Sequence, residues 1–301
     1  GAMDSIHWAT TTQPAYGKET KTHQQVLEAI VRVRVPRNRW PLFTWYGVDR
    51  LGRSRGRRRK DAPTGDRWEA YASSLEPSLD DGPLLQWLQQ EMLGDVVRRQ
   101  RSAPERFFHK AVMEVTARAT PGVSNAWYDP AEQSPKVRFE DGRVASWSEL
   151  SDGYHVFIAL VADIARRAVM LNEIDGAEAP ARVEGLVLVD ELDLHIHPRW
   201  QREVLPRLRG AFPRLQLVVT THSPQVLSSV EDNRQVRLLM DGRLWDREVL
   251  VAGRDTNSIM RDYFRTDDRD PKGAERLQRL DDAIDAEQGE EARALLAALL
   301  E

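Results

Sequence analysis

Cysteine is absent from all 301 residues, so neither a disulfide framework nor a thiolate metal site can hold this chain together. The absence fits a reducing cytoplasm, the compartment the sequence leads us to expect. Long apolar runs are also missing: none approaches the roughly 18 residues that a membrane-spanning helix needs. A charged-then-apolar secretory leader is not legible either. The opening Gly1-Ala-Met-Asp-Ser5 reads as a remnant of tag cleavage, with natural sequence expected from about Ile6.

What is present describes a soluble globular chain, 41% hydrophobic and 30% charged, long enough for one large domain with an inserted helical piece. The net charge of −4 conceals a local extreme, in which Arg50, Arg53, Arg55, Arg57, Arg58, Arg59 and Lys60 crowd around Gly52 and Gly56. Neither helical nor strand periodicity survives there, which predicts a basic loop over 50–60. Arg57, Arg58 and Arg59 can either contact the phosphodiester backbone of DNA or RNA, or belong to a solvated insertion.

Periodicity organises the remainder. Thr22–Val35 reads as a helix followed by a turn, closed by Pro36, and Trp40–Tyr46 as a short buried strand ended by Gly47. Apolar residues at helical spacing from Trp68 to Ala119 predict at least two helices, the second starting at Pro104-Glu105. Alternation over Val137–Trp147 around Asp141-Gly142 predicts a hairpin with a type I′ turn. A strongly apolar helix follows over Tyr154–Leu171. The aliphatic runs Gly185–Asp190 and Leu215–Thr221, with a helix over Pro198–Gly210 between them, give the strand-helix-strand unit of a layered α/β fold with a buried parallel sheet. Another hairpin is expected around Asp241-Gly242, and a helical tail from Asn257, ending in an antiparallel pair.

Three short segments carry chemistry. Asp190 and Glu191 follow four aliphatic residues at a strand end, where α/β sheets face their ligand crevice. One acid there can hold Mg²⁺ and the other can polarise a water during phosphoryl transfer. His222, in Thr220-Thr-His-Ser-Pro224, comes just after the next such strand. Leu150-Ser-Asp-Gly-Tyr-His155 opens the apolar helix, where Ser151 can cap and the backbone N–H groups can attract an anion.

In this order and spacing the segments resemble the ABC-type ATPases: Leu150–Tyr154 is similar to the signature motif, Leu186–Glu191 to the Walker B strand, Leu192-Asp193 to the D-loop and His222 to the switch histidine. The resemblance is strongest to the SMC/RecF/OLD-like branch, in particular to bacterial Septu and retron-associated defence ATPases. There, segments like Asp190–Gln201 and Val219–Leu227 recur almost as written. Trp45–Arg50 and Asn257–Asp262 add to a likeness that runs from about His7.

The resemblance implies an α/β, ABC-ATPase-like layered sheet with an inserted helical signature subdomain, a helical C-terminal tail and an incomplete N-terminal lobe. The implied division is a tag remnant at 1–5, the rest of the N-terminal lobe at 6–66, the signature subdomain at 67–155, the ATPase core at 156–252 and the tail at 253–301. ATP and Mg²⁺ are the implied cofactors. Asp190 would help hold Mg²⁺, Glu191 would act as general base, and His222 would sense the γ-phosphate. Ser151 and Gly153 would face the γ-phosphate bound by a second subunit, and Asp193 would couple the two sites. The implied assembly is a homodimer closed around ATP that controls a nuclease effector, with no membrane partner.

One element of that pattern is missing. No G-x-x-x-x-G-K-[ST] phosphate loop occurs. Tyr16-Gly-Lys-Glu-Thr20 lacks the earlier glycine, places Glu19 where a hydroxyl should follow Lys18, and follows no buried strand. A chain missing its amino-terminal lobe is the simplest expectation, with a split gene or a degenerate, non-hydrolysing homologue as alternatives. Two further readings stay open. A non-catalytic scaffold of cassette fold would not need to keep Glu191 and His222. A metal-dependent nuclease would use His195 and His197 beside Asp190, Glu191 and Asp193.

Overall fold

The computed structural model describes residues 39–48, 67–76, 78–240, 242–245, 247–264, 271–286 and 288–300. The opening residues, the expected helix over Thr22–Val35 and the basic loop with Arg57, Arg58 and Arg59 lie outside the described residues. Backbone contacts divide the chain into two compact units, one ending at Thr221 and the other beginning at His222.

In the first unit, strands β1 (Leu42–Tyr46), β5 (Gly185–Val189) and β6 (Leu215–Val219) form a parallel sheet in the order β1-β5-β6. The register runs Tyr46↔Val189↔Val219, so all three strands end level. Leu42, Thr44, Tyr46, Val187, Val189 and Leu215 are buried on one face. Gly185 has φ +146°, and a Cβ there would sit 1.9 Å from the Leu42 carbonyl oxygen, so only glycine lets β1 pair at this point.

Helix α1 spans Gly82–Gln100, α2 Phe108–Ala119 and α3 Asp152–Leu171. Every residue of α3 from Val156 to Leu171 is buried, the charged Asp163, Arg166 and Arg167 included, as expected of a helix apolar on nearly all sides. It packs on β1, α1 and α2. The expected helix start at Pro104 is displaced to Phe108. The reason is Asp95, whose carboxylate accepts the Arg106 and Phe107 N–H groups at 2.8 and 2.9 Å and holds Phe107 at φ +56°.

Strands β2 (Val123–Asp129), β3 (Ser134–Phe139) and β4 (Val144–Ser146) make an antiparallel sheet, its β2 edge packed on α2. The hairpin expected after Val137 is therefore the outer part of a three-stranded sheet. Its turn is not type I′: Gly142 has φ +86°, but Asp141 does not adopt positive φ. A short helix α4 (Ala179–Arg182) precedes β5, and α5 (Pro198–Ala211) crosses from β5 to β6.

In the second unit Ser223 caps α6 (Pro224–Leu227) by accepting from the Gln225 and Val226 N–H groups. The expected hairpin around residue 242 is very short, β7 (Leu239–Met240) with β8 (Arg243–Leu244). Asp255 caps α7 (Thr256–Ile259). Helices α8 (Pro271–Asp285) and α9 (Gly289–Leu300) pack together. Leu280 and Ala283 are buried, whereas Ile284 is exposed, so the apolar side of α8 is narrower than its sequence suggests. Among the described residues no helix is long and apolar enough to cross a membrane.

Candidate functional site

The acidic segment leaves the central strand of the parallel sheet. Two neighbours tie it down as it does so: Asp190 N–H donates to the Tyr46 carbonyl on β1 at 2.8 Å, and Leu192 N–H donates to the Thr220 carbonyl beyond β6 at 2.9 Å. The Thr220 hydroxyl accepts from Glu191 N–H at 2.7 Å and donates to Asp190 Oδ1. One residue later the Thr221 hydroxyl donates to Asp193 Oδ1. The Asp190 and Asp193 carboxylates are thus each bonded to a threonine beyond the neighbouring strand's end, and Glu191 is tied there by its backbone N–H.

Glu191 has φ +47° and His195 φ +62°. Non-glycine residues adopt this left-handed region at a cost of order 1–3 kcal/mol, and such residues concentrate at functional sites. The Asp190–His195 segment is therefore held in a shape its residues would not choose alone. Asp190, Glu191 and Asp193 are only half-buried, so their carboxylates remain reachable from outside. Asp190 with the adjacent Thr220 hydroxyl offers the oxygen-only donor set that suits Mg²⁺.

The beginning of α3 meets this segment. A Cβ on Gly153 would lie 2.2 Å from the His195 carbonyl oxygen, so the helix and the loop touch backbone to backbone. Tyr154 packs against Trp200 of α5 in a tilted pair at 4.4 Å and edge-on against Phe139 of β3 at 4.9 Å between ring centroids. The His155 ring lies 3.0 Å from Asp81 Oδ2, which also accepts from Trp147 Nε1 at 2.7 Å. These bonds, that of His155 first, outweigh burial and hold the Asp81 carboxyl below the usual carboxylate range.

Ser151 occupies the N-cap position of α3 by backbone conformation, yet its side chain makes no capping hydrogen bond. The expectation that Ser151 caps is corrected: its exposed hydroxyl is not spent on the helix's own N–H groups. His197 takes a capping role instead, Nδ1 accepting from Arg199 N–H at 3.2 Å at the start of α5. His195 is exposed and contributes chiefly its carbonyl, against Gly153. Neither histidine's geometry lends support to the metal-nuclease alternative. His222 is exposed and opens the second unit, three residues after β6 ends.

A polar cluster beneath the acidic edge had no counterpart in the sequence reading. Asp163 on α3 is 2% exposed, Arg166 4% and Arg167 6%. The carboxylate accepts from Arg166 Nη2 at 2.6 Å, Arg167 Nε at 2.7 Å and the Tyr46 hydroxyl at 2.9 Å. Arg167 also donates to the Ala70 and Ala72 carbonyls. Burial alone would raise the Asp163 carboxyl, but Arg167 and Arg166 outweigh it and hold it well below the carboxylate range. Burial, then the Asp163 charge, pushes the Tyr46 hydroxyl far up.

Residues 25–228 match a family model described as "AAA domain, putative AbiEii toxin, Type IV TA system". The chain belongs to this AAA-domain family. Among its relatives, the AAA-domain chain is 36% identical over 154 residues to the "Retron Ec83 probable ATPase" of Escherichia coli, an alignment covering 50% of this chain and 27% of that protein. It is 43% identical over 100 residues to the "Retron Vc95 probable ATPase" of Vibrio cholerae, covering 33% of this chain and 19% of that protein. It is 45% identical over 104 residues to the "Septu protein PtuA" of Bacillus mycoides, covering 35% of this chain and 13% of that protein. The alignments thus span about a quarter or less of these three relatives' lengths. A solved structure from work on ATP-driven dimerization and DNA-stimulated activation of SMC ATPases aligns at 15% identity with a TM-score of 0.34, covering 48% of this chain and 87% of that one.

Proposed function

We propose that this AAA-domain chain is the ATP-binding and hydrolysing module of an SMC/OLD-like ABC ATPase in a cytoplasmic bacterial anti-phage defence system, where it controls an associated nuclease. The observation that carries this reading is the pair Asp190 and Glu191 at the end of the central parallel strand, both bonded to Thr220, with Glu191 held left-handed. The relatives named as retron ATPases and Septu protein point the same way.

In this reading Asp190, with Thr220 beside it, holds Mg²⁺, which when bound offsets phosphate charge. Glu191 takes the proton of the attacking water, and His222 senses the γ-phosphate. Ser151, whose hydroxyl is not used for capping, and Gly153 at the N-terminus of α3 face the nucleotide of a second subunit, where N–H groups and the helix dipole favour anions. Asp193 couples the two sites across a homodimer. The chain has the acid half of this site but no sequence for the phosphate loop, so these 301 residues bind ATP weakly or not at all and do not turn it over alone.

The test is to measure ATP hydrolysis by the chain alone and joined to a strand, phosphate-loop and helix lobe taken from a relative. Hydrolysis is expected only in the joined form, and is lost in Glu191→Gln. Turnover by the 301 residues alone that disappears in Glu191→Gln would overturn the half-site reading. Turnover in the joined form that is indifferent to Glu191→Gln would overturn the assignment of the base.

A further inference from the structure

Helix α3 reaches the acidic segment at two places ten residues apart, about 15 Å along its axis. At its first turn, a Cβ on Gly153 would fall 2.2 Å from the His195 carbonyl oxygen, 3.2 Å from its carbon and 3.9 Å from Ile196 Cα. Farther along, Asp163 accepts from the Tyr46 hydroxyl, and the Tyr46 carbonyl accepts from Asp190 N–H. The same helix therefore meets the segment where it leaves the sheet, through Tyr46, and where it passes into α5, through Gly153. Glu191 at φ +47° and His195 at φ +62° lie within this span.

The Gly153 contact is between two backbones, so no side-chain rotation can make room for a methyl group. Nor can α3 retreat: its residues from Val156 onward are all buried and Asp163 is bonded on both carboxylate oxygens. A displacement at Gly153 must then be taken up by the loop. The loop is the softer partner, since in place of a helix's continuous ladder it has isolated bonds: Leu192 to Thr220, Leu194 to Glu191 and Ile196 to Asp193 along the backbone, with side-chain bonds from Thr220, Thr221 and Gln201.

We propose that Gly153 is a positioning residue for Glu191 of its own subunit, with α3 acting as a strut that sets the left-handed conformation of the acidic loop. This is separate from any part Gly153 takes at the nucleotide of a second subunit. The inference rests on the proposed function only for what Glu191 does, and the geometry can be tested without nucleotide.

The experiment is residue-resolved amide hydrogen exchange, with thermal melts, on the 301-residue chain and on Gly153→Ala, Gly153→Ala with His195→Gly, and Ser151→Ala. In Gly153→Ala the Leu192, Leu194 and Ile196 amides are expected to exchange at least about tenfold faster, while the Val187 and Val218 ladder amides keep their rates. Glycine at 195 relieves the left-handed constraint and lets the loop yield, so the double variant returns those rates toward wild type. Ser151→Ala, two residues away at the N-cap, leaves them unchanged.

Unchanged loop rates in Gly153→Ala would overturn the proposal. So would a uniform acceleration of loop and ladder amides that His195→Gly does not reverse. Should Gly153→Ala fail to fold, Tyr46→Phe cuts the other end of the strut: faster exchange at Asp190 and Leu192 supports the proposal, and wild-type rates there overturn it. If the loop responds as expected while the form joined to a phosphate-loop lobe never binds ATP, the nucleotide reading falls and the strut stands.

Discussion

Replacing Asp163 by Asn keeps the shape of the side chain and removes its charge. The carboxylate accepts four hydrogen bonds, two from Arg166, one from Arg167 and one from the Tyr46 hydroxyl. An amide supplies one acceptor oxygen and turns an NH₂ toward groups that are themselves donors. Removing one member of a buried ion pair costs about 3–5 kcal/mol because the other charge stays behind. Here two guanidinia stay behind, which argues for the upper end. Arg167 keeps the Ala70 and Ala72 carbonyls, which offsets part of the loss, so the expected cost is about 4 kcal/mol. Against a typical total of about 5–15 kcal/mol this is large enough to read without ambiguity from a urea midpoint at unchanged slope.

The sign of its pH dependence is fixed as well. Arg167 and Arg166 overcome burial to lower the folded pKa of Asp163. Its stabilisation is therefore complete above the unfolded value of about 3.9 and is lost as pH falls through the lower folded value. The difference between wild type and Asp163→Asn should be full at pH 7 and shrink on acidification below about pH 4. A cost under about 1 kcal/mol at pH 7, or a gap that widens in acid, would refute the reasoning.

Three other outcomes follow from the geometry. Glu191→Gly should be at least as stable as wild type, since glycine escapes a left-handed penalty of about 1 kcal/mol, whereas Glu191→Val should lose about 1–2 kcal/mol; thermal melts that rank them the other way would contradict the assigned conformation. Gly185→Ala places a methyl 1.9 Å from the Leu42 oxygen and should part β1 from β5 at a cost above about 3 kcal/mol, read as a fall in Tm. Asn172 is 1% exposed and bonds both the N–H and the carbonyl of Trp40, at 2.8 and 3.0 Å. Asn172→Ala should cost about 2 kcal/mol in urea unfolding, and a loss under about 0.5 kcal/mol would show the clip to be idle.

The parallel strands, α3 and α5 were legible because continuous aliphatic runs and helical spacing are signals local to the chain. The acids at the end of β5 were legible for the same reason. Strand β2 was not, because Ser124 and Asn125 interrupt its alternation and its burial comes from α2, which no local pattern shows. Asp163, Arg166 and Arg167 sit at the spacing of an ordinary surface ion pair. Three charges on an otherwise apolar helix were the available signal, but the partners that make them a core cluster, Tyr46 and Ala70, lie far away in sequence. Thr220 and Thr221 read as strand ends rather than as the hydroxyls that bond the Asp190 and Asp193 carboxylates and the Glu191 N–H. Gly153 was legible as a motif residue; its approach to His195 depends on the tertiary fold.

The central claim is that Asp190 and Glu191 form the acid half of an ATP-hydrolysing site completed in a dimer. The most direct measurement is the solution mass of the Glu191→Gln chain joined to a phosphate-loop lobe, with ATP and Mg²⁺ and then with ADP. A dimer with ATP that reverts to monomer with ADP, and that Ser151→Arg prevents from forming, is the predicted result. A mass indifferent to nucleotide, in a protein shown to bind ATP, would contradict the account.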